Sequence, residues 1–263
     1  RAKNNSDYCN FKKLVKDKLP YHEYENINSP ETIKIIEKYK PTIIYIMGIS
    51  QLVSKDILNI PKVGCLGGHI SKLPNNRGRH PIIWALANGL TKSAVSVIWL
   101  DDGVDTGDIA SEKSFRISYD ENAGDVYTKV ANIYTYLIIK ELLPKFEAGI
   151  FPKKPQNIND SNIWRKRNFD DGVIDWRMSS KRINNLIRAL YRPYPGCVFK
   201  FKEEYHKVWH SKPISYDERF EPGKILSIKN SKFLVKCGEG ALWIIDHEFD
   251  ISQIKENRYL NHY

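Results

Sequence analysis

The sequence is poor in cysteine and has no long apolar run. Its four cysteines, Cys9, Cys65, Cys197 and Cys237, lie far apart without Cys-x-x-Cys spacing, which argues against a zinc site or a disulfide scaffold. No apolar run reaches the roughly 18 residues that a membrane helix needs, and the first residues do not resemble a signal peptide. We therefore expect a cytoplasmic protein with reduced core thiols, no metal and no membrane partner.

Acidic residues are fewer than basic residues in this sequence. The 263-residue chain has 31 Asp and Glu against 41 Lys and Arg, a formal net charge of +10. An excess of positive charge suits anionic partners. The basic residues are spread along the chain rather than clustered, so a lysine-rich composition without electrostatic purpose stays open as an explanation.

Alternating strand and helix signals predict an α/β domain in the first half of the chain. Ser29 is an expected N-cap with Pro30 in the first helical turn, and 42–47 is an apolar run typical of a strand covered on both faces. Further strands are predicted at 62–66 and 94–100, with helices between the strands. This order predicts a Rossmann-like, mostly parallel sheet.

Apolar residues at helical spacing from Val126 to Leu142 predict the last helix of this first domain, which Pro144 and Gly149 end. The rest of the chain predicts a different kind of module, and a helix is expected over 180–190. Short alternating strands are predicted at 197–202, 205–209, 223–228, 232–237 and 241–246. The predicted domains are therefore 1–150 for the catalytic domain, 151–172 for a linker, and 173–263 for a helix with a small, partly open β barrel.

Two polar loops hold the residues with catalytic potential. One runs from His69 to Gly78 and the other from Asp101 to Asp108, and apolar runs flank both. A histidine titrates near neutral pH, and a carboxylate against its second nitrogen fixes its tautomer and stabilises its charged form. His69 and Asp105 are therefore interpreted as an acid/base pair.

Three stretches carry a resemblance to a known family: HISKLPNNRGRHPIIWAL, VSVIWLDDGVDTGDI and DDGVIDWRMSSKRINNLIRALYRPYPG. The chain from about Leu19 to Phe249 resembles the formyltransferases that use 10-formyltetrahydrofolate. The resemblance implies an enzyme that transfers a formyl group to an amine, with 10-formyltetrahydrofolate as co-substrate and an OB-like C-terminal module. Relatives begin with a hydrophobic strand, whereas residues 1–18 are polar, so we expect the N-terminal strands to be missing or diverged.

The resemblance assigns roles to three positions. His69 matches the family histidine and would polarise the formyl carbonyl, while Asp105 matches the aspartate that orients it. Gly67 stands where the family has asparagine, so a side-chain donor to the developing oxyanion is absent. Three explanations are open: a backbone N–H or a water at Gly67–Gly68 takes the role, Asn75 or Asn76 does, or catalysis is weak. We favour the first.

The resemblance also implies binding positions. The folate-binding residues are predicted to be Met47, Gly48, Ile49, Leu100, Asp101, Asp102, Gly103 and Val104. The acceptor-binding residues are predicted to be Arg77, Arg188, Tyr191 and Tyr194. A structural role for Arg77 is an equally good interpretation.

The acceptor is the least determined part of the prediction. Only about 90 residues follow Gly172, and no basic stripe suggests a tRNA channel. We favour the amine of a nucleotide-linked amino sugar, with methionyl-tRNA formyltransferase as the alternative and a non-catalytic folate or nucleotide-sugar binder as a third. A hydrolase using Ser71 is disfavoured because Ser71 lies in no nucleophile-elbow pattern. The oligomeric state, including a homodimer, is left open.

Overall fold

A computed structural model of the protein describes residues 10–15, 18–49, 51–217 and 219–260. Cys9 and part of the N-terminal prediction lie outside the described residues. The α-helices are α1 Phe11–Val15, α2 Pro30–Tyr39, α3 Lys55–Leu58, α4 Pro81–Ala87, α5 Ala123–Tyr136, α6 Leu143–Glu147 and α7 Ser180–Ala189. The strands are β1 Ile43–Ile46, β2 Gly64–His69, β3 Arg77–Gly78, β4 Lys92–Trp99, β5 Ile109–Arg116, β6 Ile163–Trp164, β7 Cys197–Phe201, β8 Glu204–Ile214, β9 Ile225–Lys229, β10 Lys232–Lys236 and β11 Ala241–His247.

The chain divides into two units that alternate along the sequence. Unit 1 contains Arg1–Gly78, Ser93–Phe115 and Val130–Trp164, and unit 2 contains Arg79–Lys92, Arg116–Lys129 and Arg165–Tyr263. The domain limits inferred from the sequence, 1–150, 151–172 and 173–263, stay a prediction.

The first sheet has the strand order β1-β2-β4-β5. β1 and β2 are parallel, with Ile46 opposite Gly67, whereas β2 and β4 are antiparallel, with Gly67 opposite Ile98. The Trp99 N–H, at the end of β4, donates to the Asp108 carbonyl just before β5, and the Ile117 N–H just after β5 donates to the Thr91 carbonyl just before β4. The end of one strand therefore lies beside the start of the other, so β4 and β5 are antiparallel too. The predicted α/β class is confirmed, and its parallel part is the β1–β2 pair. The short connection between β4 and β5 allows only a hairpin, because parallel neighbours need a longer crossover.

The local signals of the sequence explain where this sheet begins. The Ser29 hydroxyl accepts a hydrogen bond from the Thr32 N–H at 3.2 Å, which caps α2 and satisfies a donor that has no partner within the helix. Lys40 ends α2 in the left-handed conformation, and β1 follows after Pro41.

The long helix of the first half departs from its predicted end. It begins at Ala123 and widens into a π-helical segment over Leu137–Leu142. It then continues as α6 to Glu147, with Pro144 in the first turn of α6 rather than beyond a helix end. Proline lacks an N–H, and the first turn of a helix is where that loss costs least. The helix ends just before Gly149, as predicted, whereas the prediction that Pro144 ends it was wrong.

Unit 2 contains a separate antiparallel sheet of order β7-β8-β11-β10-β9. The five strands predicted from alternation are all present, so the expected β-rich C-terminal module is confirmed. Its core is aromatic: the ring centroids of Phe199 and Phe249 lie 5.3 Å apart, and those of Phe233 and Phe249 lie 5.9 Å apart. Edge-to-face packing of this kind adds to the stability gained from burial.

The three described cysteines are buried and free. Burial raises the pKa of the Cys65 thiol to about 11 and that of Cys237 to about 12, so both stay protonated at neutral pH and are poor nucleophiles. Within the described ranges, no helix combines the length and apolar character needed to cross a bilayer.

Candidate functional site

His69 is the last residue of β2 and is 5% exposed. Its Nδ1 lies 3.3 Å from Oδ2 of Asp105, and its Nε2 lies 2.8 Å from the backbone carbonyl oxygen of Asn76. The structure therefore brings together the two residues that were predicted to form the acid/base pair.

The loop after β2 folds back so that its end reaches Asp105. The Ser71 hydroxyl donates to the Asn75 carbonyl at 2.7 Å and closes the turn. At the end of the loop, the Gly78 N–H donates to Asp105 Oδ2 at 2.8 Å. Ser71 therefore has a structural use, and Asp105 is held by a backbone donor as well as by the imidazole.

Asp105 lies in a tight loop with an unusual backbone conformation. Its φ is +54°, the left-handed region that a residue with a Cβ rarely adopts. Two contacts of its carboxylate, the hydrogen bond from Gly78 and the ionic contact with His69, are both made by Oδ2, and its side chain is 21% exposed. Within the described part of the chain, Oδ1 has no hydrogen-bond partner, so it can accept a proton from a bound molecule.

Both nitrogens of His69 face oxygen atoms that can only accept hydrogen bonds. A backbone carbonyl has no proton to give, and an ionised carboxylate has none either. The nitrogen that faces the Asn76 carbonyl therefore carries a ring hydrogen, and the other nitrogen faces Asp105 Oδ2. A bound molecule that takes the place of the Asn76 carbonyl can receive a hydrogen bond from this N–H on a developing negative oxygen.

Gly67 lies inside the sheet, and a leucine takes the space beside it. Gly67 is paired with Ile46 of β1 and Ile98 of β4, so its backbone faces neighbouring strands on both edges. A Cβ at position 67 would lie 2.5 Å from Cδ2 and 3.1 Å from Cγ of Leu100, which itself packs against Leu73, Ile98 and Ile109. The pairing disfavours a free backbone donor at Gly67, and an asparagine side chain there would require Leu100 to move.

Tyr134 is a neighbour of the site that the sequence did not suggest. A Cβ at Gly68 would lie 2.3 Å from its hydroxyl oxygen, so glycine is required for this close approach. Burial, and secondarily the negative charge of Asp105, raise the pKa of the Tyr134 phenol well above its ordinary value. A neutral tyrosine therefore lies near Asp105.

The predicted folate-binding residues lie in two loops of unit 1. Met47 and Val104 are 38% and 44% exposed, which leaves two large apolar side chains available to a ring system. The Asp102 carboxylate pairs with Lys55 Nζ at 2.8 Å. Asp101 accepts hydrogen bonds from the Gly103 N–H at 3.1 Å and the Thr106 hydroxyl at 2.6 Å.

The predicted acceptor-binding residues are engaged within their own units. Arg77 is 3% exposed, and its guanidinium donates to Gln156 Oε1, which favours the structural interpretation. In unit 2, Arg188 donates to the carbonyls of Ser118 and Glu121 at 3.1 Å and 2.9 Å. The Tyr191 ring centroid lies 6.4 Å from that of Trp209. Tyr194 also lies in unit 2, and the acceptor roles of these residues stay predictions.

Another concave region in unit 1 lies apart from the predicted site residues. An open depression of about 790 Å³ contains none of the predicted site residues. Among the described residues, no three His, Cys, Asp or Glu side chains are placed to hold a metal ion. The depression is lined by Glu37, Lys40, Pro41, Asp56, Asn59, Ile60 and Lys62.

We expect alanine at Gly107 to destabilise unit 1, because this glycine lets the Asp105 loop lie against β4. A Cβ there would lie 1.6 Å from the carbonyl oxygen of Trp99, and backbone cannot yield as a side chain can. The free energy of unfolding in urea should fall by about 2–3 kcal/mol.

Gly149→Ala is the matched control, since that position has no neighbour within 4 Å and a φ of +74°. It should lose only about 1 kcal/mol, from the left-handed backbone. Equal losses in the two variants would contradict the close contact.

The fold and the site together define a class of protein. A buried imidazole against a carboxylate, in loops at the margin of an α/β sheet, is typical of an enzyme that moves protons during group transfer. Comparison with known proteins narrows the class. Residues 2–142 match the family described as "Formyl transferase", and residues 168–261 match "Formyl transferase, C-terminal domain".

The chain belongs to the formyl transferase family, whose members transfer a formyl group. Over 219 residues it is 32% identical to methionyl-tRNA formyltransferase of Caldanaerobacter subterraneus, covering 83% of this chain and 70% of that protein. The resemblance inferred from the motifs and the predicted enzyme class are confirmed.

Solved structures show the same fold at low sequence identity. A multiply substituted variant of HypX from Aquifex aeolicus gives a TM-score of 0.67 at 18% identity, over 94% of this chain and 42% of that one. This chain therefore spans less than half the length of HypX. An N-formyltransferase from Helicobacter canadensis, in complex with folinic acid and dTDP-3-aminofucose, gives 0.61 at 20% identity, over 77% of this chain and 72% of that one.

Proposed function

We propose that this protein transfers a formyl group from 10-formyltetrahydrofolate to the amine of a nucleotide-linked amino sugar. The observation that carries the proposal is the contact of His69 with Asp105, held by the Asn76 carbonyl and the Gly78 N–H in one unit. These groups match what acyl transfer to an amine requires.

The proposed chemistry follows from the charges that develop. Attack of the amine on the formyl carbon gives a tetrahedral intermediate with a negative oxygen and a positive nitrogen. The His69 N–H donates to that oxygen, and Oδ1 of Asp105 accepts the proton that the amine loses. The C–N bond to the donor then breaks, and the departing nitrogen receives the proton that Asp105 took from the amine.

The folate is proposed to bind along the loops Met47–Ile49 and Leu100–Val104. The exposed side chains of Met47 and Val104 offer apolar surface to a pterin ring, and Val104 directly precedes Asp105 in the chain. The bound folate supplies the activated formyl group. The Helicobacter canadensis neighbour was solved with folinic acid, which supports a folate for this chain.

The acceptor separates the two candidate functions. The absence of a basic stripe in the sequence favours the amino sugar, and the Helicobacter canadensis neighbour was solved with dTDP-3-aminofucose. Methionyl-tRNA formyltransferase is the second candidate, because relatives at 32% identity carry that name.

One experiment tests the choice of acceptor. The protein is incubated with 10-formyltetrahydrofolate and either a panel of dTDP- and UDP-linked amino sugars or charged initiator tRNA, and mass spectrometry follows the gain of one formyl group. We expect formylated sugar, with a rate that changes little with salt, because few phosphates are involved. Product on tRNA alone would establish the second candidate. Folate binding in calorimetry without product on any amine would favour a non-catalytic binder.

A further inference from the structure

We propose that Gln156 is a positioning residue that fixes Asp105 for catalysis. The inference rests on the proposed function and extends it to a residue in the segment 151–172, which the sequence indicates only as a linker. Gln156 touches neither reacting group and acts through the loops that carry them.

The amide of Gln156 bonds to both loops of the site. Its Nε2 donates to the backbone carbonyls of Asp105 at 2.9 Å and Gly107 at 2.7 Å. Its Oε1 accepts from Nε of Arg77 at 3.3 Å and from Nη2 at 2.7 Å. Two donated and two accepted bonds use the whole capacity of a side-chain amide, so the orientation of Gln156 is fully determined.

These bonds link the residues that hold the Asp105 carboxylate. Arg77 is buried in β3, and the next residue, Gly78, donates its N–H to Asp105 Oδ2. Gln156 thus bonds to the backbone carbonyl of Asp105 and also to Arg77, whose neighbour Gly78 donates to the Asp105 carboxylate. Because Asp105 has a φ of +54°, its conformation depends on surrounding contacts to persist.

Gln156 is itself anchored at both ends of its segment. On one side, Lys154 and Ile109 exchange two backbone hydrogen bonds at 2.8 Å and 3.0 Å. On the other, β6 at Ile163–Trp164 pairs with β3 at Arg77–Gly78. The segment is therefore a fixed support under the Asp105 loop.

The first test is Gln156→Met, which keeps the length of the side chain and removes all four hydrogen bonds. We expect kcat to fall about tenfold to a hundredfold through displacement of Asp105, with KM for folate and acceptor within about twofold of the parent. Asn28→Leu is the matched control, since Asn28 also joins two backbone groups, the Leu52 carbonyl and the Ser54 N–H. It should reduce stability and leave kcat unchanged. A Gln156→Met protein with the kcat of the parent would overturn the inference.

Two further variants separate positioning from a general loss of structure. Gln156→Glu keeps an acceptor for Arg77 but has no donor for the Asp105 and Gly107 carbonyls, so it should lose as much kcat as Gln156→Met. In an Asp105→Asn background, Gln156→Met should cost little more, because both changes remove the same function. Full kcat in Gln156→Glu, or losses that add in the double variant, would show that Gln156 does not act through Asp105.

Hydrogen exchange of residues 101–108 makes the test independent of turnover. If the parent formylates no acceptor, the proposed function fails, yet Gln156→Met should still speed exchange in this loop while Asn28→Leu does not. Unchanged exchange in the loop would overturn the positioning role itself.

Discussion

We expect His69→Gln to lower kcat for formyl transfer by about 10²–10⁴-fold, the largest single effect expected in this chain. Glutamine can donate hydrogen bonds but cannot carry a proton from one group to another. The imidazole occupies a buried position between the Asn76 carbonyl and Asp105, where water cannot replace it. Single-turnover formation of formylated product measures the loss without interference from product release.

His22→Gln is the control for this substitution. His22 is exposed and its Nε2 contacts the Tyr39 hydroxyl at 2.8 Å, away from the site, so its kcat should equal that of the parent. Asp105→Asn should resemble His69→Gln, because it removes the carboxylate that faces the imidazole and the proton acceptor at Oδ1. A His69→Gln enzyme within about threefold of the parent, well short of a general acid/base effect, would remove the imidazole from the mechanism.

Elements set by neighbouring residues could be predicted from the sequence. Ser29 caps α2 as expected, and the strand beginning at Cys197 ends one residue from its predicted end. Alternation of apolar residues and the position of turn residues are local properties, which is why the C-terminal strands were found. The long helix differs from its prediction at Pro144, which lies in the first turn of α6, directly after the π-helical segment, and does not end the helix.

The direction of β4 could not be predicted in the same way. An apolar run such as 94–100 looks the same in a parallel or an antiparallel pair, so the alternation of strands and helices gave a mostly parallel sheet. The antiparallel pairing of β4 with β2 places Leu100 diagonally opposite Gly67. The sequence therefore did not show that an asparagine at position 67 would meet the Leu100 side chain.

The site shows the same limit. The motifs identified His69 and Asp105 although 36 positions separate them, because the resemblance carries spatial information that spacing lacks. No pattern marked Gln156, since its amide bonds to backbone carbonyls and to an arginine far away in the chain. Side-chain contacts to backbone impose no periodicity and so leave no local signal.

Asparagine at position 67 should raise formyl transfer only if Leu100 is made smaller at the same time. Gly67→Asn alone forces its Cβ to within 2.5 Å of Leu100 Cδ2, displaces Leu100 from Leu73, Ile98 and Ile109, and should cost about 1–3 kcal/mol of stability through overpacking. With Leu100→Ala the side-chain amide has room to donate to the developing oxyanion. One such donor is worth about a hundredfold or more in kcat, so the double variant should exceed the parent by roughly that factor.

Gly67→Leu with Leu100→Ala is the matched control, because leucine has the shape of asparagine without its amide. This control and Leu100→Ala alone should show no gain in kcat, which separates the donor from the change in packing. If the asparagine double variant is no faster than the leucine one, the developing oxyanion does not lie within reach of position 67. A single Gly67→Asn variant that is already as fast as the double would instead show that Leu100 moves aside freely. The amide alone would then account for the gain, because Leu100 would not hinder an asparagine in β2.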